Sequence, residues 1–284
     1  MTDRAPAHPR LRAARRFLRR PVAVTGLAVL VFAVVVSGAA PWLSPHPPNF
    51  VDVANPDAPP SPAHPLGTDE LGRDIVSRLL WGGRSTLLIT LGAVALAFVS
   101  GSTLGLAAGY YGGLGDTVIM RVMDVLLAIP GFLLAVAVIA ALGVGMGNVI
   151  IAIGVNSIPP FARIARGSTL LARQEVYVQA AQALGAGGRT IMARHIFPNI
   201  LSPLVVQSTL RLATAILTAS GLSFLGLGVQ PPTAEWGAML SVGRDYITSS
   251  PQLVIIPGMA ILVVTLAFNV VGDAVRDALD PREL

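Results

Sequence analysis

The side chains able to do covalent chemistry in this sequence are few. It has no cysteine, and all 20 of its Lys+Arg residues are arginine. The missing lysine removes P-loop nucleotide binding, which needs a lysine on the phosphates, together with Schiff-base and lysine-base catalysis. The missing cysteine removes disulfides, thiolate nucleophiles and cysteine metal sites. Asp69, Glu70 and Asp74 lie close enough in sequence to share a cation, yet Arg73 and Arg78 beside them offer ordinary ion pairs instead. His195 follows Arg194 with no serine, cysteine or acid nearby to complete a catalytic set. These residues assign no catalytic, cofactor-binding or metal-ligating position, and the chain is expected not to be an enzyme.

The elements that carry these residues are membrane helices. Of 284 residues 53% are hydrophobic and 12% charged, and several apolar runs exceed the roughly 20 residues that cross a bilayer. The first runs from Val22 to about Leu43 and stops at Pro45, Pro47 and Pro48. It is longer than the roughly 7 to 15 apolar residues of a cleaved signal, so a retained helix is expected. A second span from about Ser85 to Tyr110 carries Gly92, Gly101, Gly105 and Gly109, which would let neighbouring helices approach closely. From Val125 to Ala162 no charge occurs, and the stretch Gly143 to Asn148 divides this interval into a third and a fourth span. The fifth and sixth run from about Ile200 to Leu222 and from about Leu253 to Val271.

Six spans place both termini on one side. Fifteen arginines fall on that side, only Arg73, Arg78, Arg84 and Arg244 on the other, and Arg211 within a span. The positive-inside rule then makes the termini cytoplasmic. The resulting division is a basic cytoplasmic segment 1–20, a first span 21–43, an extracytoplasmic loop 44–83, a core 84–275 with a cytoplasmic loop 165–199, and a cytoplasmic tail 276–284. Arg10 to Arg20 suits a short helix on the anionic inner leaflet, or a basic tail without fixed structure.

The cytoplasmic stretch Glu175 to Asn199 is polar in an apolar chain. Val176, Ala180, Ala183 and Leu184 recur at spacings of three and four, which predicts one short amphipathic helix. Gly185, Gly187 and Gly188 break it, and Arg189 to Phe197 can form a second before Pro198 opens the next span. The segment could be a plain connector or a surface offered to a partner. Within the spans, Arg211 is costly near mid-membrane unless it faces a pathway or a partner's acid. Asn156 and Asn269 suit helix packing, and Asp124 stands at the start of the third span. Intramembrane acids that would run an ion-coupled transporter are absent, as is any catalytic set of a membrane protease.

Tyr177, Ala180, Ala181, Leu184, Gly185 and Ala186, followed by Arg194, His195, Ile196, Pro198 and Asn199, resemble the EAA loop of permease subunits of bacterial ABC importers, with Gln179 in place of the glutamate that names it. His64 to Asp74, Gly221 to Pro232 with Glu235, Trp236 and Gly237, and Asn269 to Arg282 are similar to the dipeptide, oligopeptide and nickel permease family, in particular its second, C-type permease. The resemblance covers nearly the whole chain in order. It implies an all-α, six-helix type I importer permease in a bacterial inner membrane that imports di- or oligopeptides, with nickel or another small solute as the alternative. It also implies a second homologous permease, two ATPase subunits holding ATP and magnesium, and an extracytoplasmic solute-binding protein, with no cofactor in this chain and no nucleic acid. Glu175, Tyr177, Ala180, Ala181, Gly185, Ala186, Arg189, Arg194, His195 and Pro198 are then expected to couple to the ATPase, the second short helix docking in its groove. Arg211 and Asn156 are candidates for the translocation path.

Overall fold

The structure, a computed structural model, describes residues 17–279. The segment Arg10 to Arg20 thus falls mostly outside the described residues. Within them the regular elements are helices, apart from one isolated antiparallel bridge between Thr68 and Asp74. In order they are α1 (Pro21–Gly38), α2 (Ala40–Leu43), α3 (Ile75–Tyr111), α4 (Gly113–Ala128), α5 (Gly131–Leu142), α6 (Met146–Ala172), α7 (Val176–Ala183), α8 (Gly188–Thr190), α9 (Phe197–Phe224), α10 (Trp236–Gly243) and α11 (Gln252–Leu279). A π-helical stretch, Ile191–Ile196, joins α8 to α9.

Five helices are long and apolar enough to cross a membrane, and α4 with α5 forms a bent pair that makes six if it counts as one span. That pair departs from the straight third span expected from Val125. The axes of α4 and α5 meet at 98°. Pro130 causes the break: its ring excludes the helical conformation at Ile129, which is extended at φ −90° and ψ 128°. The expected division at Gly143 holds. Gly143 and Gly145 take φ values of +89° and +135°, and the Asn148 amide donates to the carbonyls of Leu142 and Gly143 at 2.9 and 3.0 Å.

Helix α3 begins at Ile75, earlier than Ser85, because Asp74 caps it by accepting from the Ser77 N–H. It lies along α6, and the glycines explain the closeness: a Cβ on Gly101 would sit 2.7 Å from the Ile158 carbonyl oxygen, and one on Gly109 2.8 Å from that of Arg166. Around this pair a core of Ile89, Ala97, Ala135, Ile153, Phe161 and Leu204 joins α3, α5, α6 and α9. A second core, with Leu87, Ile216, Trp236 and Phe268, joins α3, α9, α10 and α11. Phe32, Val99 and Leu266 stand exposed on outer faces, where a bilayer would cover them.

The connection between α2 and α3 is ordered by its polar groups. Asp69 accepts from the Arg73 Nε at 2.7 Å and faces the Arg78 Nε at 3.3 Å, while the Arg73 Nη2 donates to Glu70 at 2.7 Å. Asp69 and Glu70 are thus spent on arginines, while Asp74 bonds Ser77 and His64. Burial, and then the Asp69 charge, hold the Glu70 carboxyl above the usual glutamate range. Arg78 also donates to the carbonyls of Pro48 and Pro232, tying two loops together. Nearby, Glu235 is fully buried and capped on every side: Thr86 Oγ1 and the Gly237 N–H donate to Oε1, and the Ala238 N–H to Oε2, at 2.9 to 3.0 Å.

Candidate functional site

Helix α7 follows α6 after a short turn and is held to the body by one side. Val178 is fully buried in the main core, and Ala181 and Ala186 pack against it. The opposite side is the apolar stripe seen in the sequence. Val176 is 78% and Leu184 88% exposed, with Ala180 and Ala183 exposed between them. An amphipathic helix ordinarily turns such a stripe inward. Here the single valine on the other face does the anchoring, and the stripe is left free.

The glycine corner ends α7 by a specific geometry. Gly185 takes φ +79°, its N–H donates to the Gln182 carbonyl at 2.9 Å, and the Ala186 N–H donates to the Ala181 carbonyl at 3.0 Å. This is the Schellman pattern, in which the left-handed residue lets the next two amides close on the last turn. It accounts for the motif residue by residue: Ala181 and Ala186 are the small pair that meets across the corner, and Gly185 supplies the positive φ. Beyond it a Cβ on Gly188 would meet the Tyr110 ring at 2.9 Å, so the chain passes close over the end of α3.

The second short helix, expected over Arg189 to Phe197, is not a separate element. From Gly188 to Phe224 the chain runs as one helix. Pro198 lies at its π-to-α junction, where the wider π turn eases the clash of a proline ring with the preceding turn. The His195 carbonyl accepts from the Asn199 amide at 2.6 Å, and the same amide donates to the Tyr177 hydroxyl at 3.0 Å. Tyr177 is thereby fastened to the foot of α9. Gln179, at the place of the motif's glutamate, donates to the Gln174 carbonyl at 3.1 Å. Glu175 stands at the N-cap of α7 without a side-chain cap bond. Arg189, Arg194 and Pro198 are exposed and His195 is half-buried.

Two ion pairs fix α4 to α6 beside this loop. Arg166 meets Asp116 in a two-pronged pair at 2.5 and 2.6 Å, and Arg163 meets Asp124 at 2.6 Å. Neither was foreseen from sequence, because the partners are 50 and 39 residues apart. The two path candidates are not joined by a hydrogen bond among the described residues. Asn156 lies at the α5 to α6 crossing, where a Cβ on Gly131 would come 2.5 Å from its Oδ1. Arg211 is half-buried on α9 and forms no ion pair with a described residue. Asn269 is exposed on α11.

Comparison with known proteins places these features. A family described as "binding-protein-dependent transport system inner membrane component" matches residues 101–284, and one described as "N-terminal TM domain of oligopeptide transport permease C" matches residues 9–60. The glutathione transport system permease protein GsiD of Pectobacterium atrosepticum is 47% identical over 269 residues, covering 94% of this chain and 89% of that protein. GsiD of Shigella sonnei is also 47% identical, with the same coverage. Among solved structures, inward-facing MetNI methionine ABC transporter is similar with a TM-score of 0.52 at 20% identity, over 70% of this chain and 96% of that one, which shows a shared fold.

Proposed function

Because this chain belongs to the binding-protein-dependent transport-system inner membrane components, we propose that it forms half of the path by which di- and oligopeptides enter the cell, with glutathione-like tripeptides among them. Members of the family are permeases of ABC importers in the inner membrane, working with an ATPase, a substrate-binding protein and a further permease. For this chain the finer arrangement is our proposal, by likeness to that family. A second homologous permease completes the path, two cytoplasmic ATPase subunits bind ATP and magnesium, and an external binding protein delivers the peptide. Peptide cargo is supported by the relatives, which carry glutathione in their name.

The observation that carries the coupling role is the outward stripe of α7. Val176, Ala180, Ala183 and Leu184 form a short, preformed apolar ridge, the shape that docks in a groove on another protein. Tyr177, Ala181, Gly185 and Ala186 hold the ridge at a fixed angle, and Arg189, Arg194, His195 and Pro198 continue from it into α9. The discrete docking element is therefore α7 with its corner, rather than the stretch after it. Closure of the ATPase pair pushes this element, and α9 transmits the push because it is one helix from Gly188 onward.

Purification of the tagged chain with its neighbours, then an ATPase assay with binding protein loaded with glutathione or a dipeptide, tests the reading. Co-purified ATPases stimulated by peptide-loaded protein support it. Stimulation only by a nickel-loaded binding protein would leave the architecture and replace the cargo, and absence of any ATPase would remove the coupling role.

A further inference from the structure

The connection between α2 and α3 gathers two histidines and an aspartate from three places in the sequence. His46 follows α2, His64 lies 10 residues before Asp74, and Asp74 caps α3. Each can place one ligand atom within 4.8 Å of the other two. The imidazoles stack with centroids 4.7 Å apart and planes inclined at 29°, and His64 Nδ1 lies 3.0 Å from Asp74 Oδ1. Asp74 is buried and both histidines are half-buried.

Two details separate this cluster from an ordinary ion pair. His46 Nδ1 is buried and has no hydrogen-bond partner among the described residues, a cost that a second acceptor or a cation would remove. The three groups are also held from behind. Asp74 Oδ2 accepts from the Ser77 N–H and hydroxyl at 2.7 and 2.8 Å, leaving Oδ1 for the cluster, and the backbone N–H of His46 donates to the same Ser77 hydroxyl at 3.1 Å. The backbone N–H of His64 donates to Ser61 Oγ at 3.1 Å. The Ser77 bonds orient the Asp74 carboxylate as outer-shell partners do in metal sites, and the backbone bonds hold the chain at the two histidines. Mixed imidazole and carboxylate donors suit zinc, nickel or copper(II) rather than magnesium or calcium, which prefer oxygen.

We infer that His46, His64 and Asp74 bind one divalent transition-metal ion, of the zinc class, which clasps the proline-rich connection onto the first turn of α3. The ion is a resident of the connection, and the inference does not depend on which solute is carried.

The full-length chain, purified with its partner subunits and stripped with a chelator, is titrated with Co²⁺ and separately with Zn²⁺, with no binding protein present. One equivalent of Co²⁺ should give visible bands of four-coordinate nitrogen and oxygen ligation, displaced by Zn²⁺ and not by Mg²⁺. His46→Gln and His64→Gln should each weaken binding at least about tenfold. A readout that needs no variant comes from the wild type: Zn²⁺ should protect His46 and His64 from diethylpyrocarbonate, seen by peptide mass spectrometry, with His195 modified equally in both states. Absence of stoichiometric binding, or equal modification of His46 and His64 with and without Zn²⁺, would overturn the inference.

Discussion

Gly185 shows how much a single position controls. Its φ of +79° closes the Schellman turn, yet a Cβ there would meet no neighbouring atom within 4 Å, so backbone conformation alone restricts the site. A valine would cost about 1–2 kcal/mol in that conformation, enough to turn the corner over to other geometries in roughly a tenfold ratio. We therefore expect Gly185→Val to cut uptake by about that factor while the assembled complex still hydrolyses ATP. Normal uptake per ATP in the variant would remove the corner from the coupling mechanism. This residue was legible in the sequence, because the left-handed cap is a local property and only glycine takes it at little cost. Glu235 was legible only as part of a family motif; its burial was not, because Thr86, which donates to it across the fold, lies 149 residues away. The same holds for His46 and His64, whose ring stacking depends on the path of a loop between helices.

Among the elements, α4 and α6 depend on two arginine to aspartate pairs of unequal kind. Asp116 is mostly shielded and bonded twice by Arg166, whereas Arg163 and Asp124 are both about half exposed. The first should therefore carry most of the coupling between the helices, on the order of 1 kcal/mol in a double-mutant cycle of Asp116→Asn and Arg166→Gln, read from thermal unfolding in detergent. The exchanged pair Asp116→Arg with Arg166→Asp should regain part of the loss. Strictly additive single effects would show that the pair is incidental. Six spans were expected from charge-free intervals, since a charge in hydrocarbon is expensive wherever it falls, and the structure has five such helices, or six with the bent pair taken as one. The direction of the chain inside such an interval did not follow. Counting charges says nothing of Pro130, and the 98° turn between α4 and α5 is a backbone effect that hydropathy does not register.

At the scale of the whole molecule, the orientation rests on the uneven distribution of arginines, and the absence of cysteine makes it directly measurable. Ala63 and Gln182 are both exposed and stand on opposite sides in the proposed arrangement. In intact cells an impermeant maleimide should label Ala63→Cys, while Gln182→Cys should react only after the membrane is opened. The reverse pattern would invert the topology, and labelling of both in intact cells would break the six-span count. Fold class and family were readable because composition, periodicity and ordered motifs agree along nearly the entire chain; the proposed docking ridge needed coordinates, since only burial tells an inward stripe from an outward one. Where Gly101, Gly105 and Gly109 bring α3 onto α6, their faces meet the carbonyl oxygens of Ile158, Ala162 and Arg166 and the Cβ atoms of Phe161, Ala165 and Thr169, a contact too close for one helix to slide past the other without collision. We expect the two to move as a single slab. The slack for alternating access then has to come from thinner parts, and the right-angled break after Ala128 is the joint best shaped to supply it.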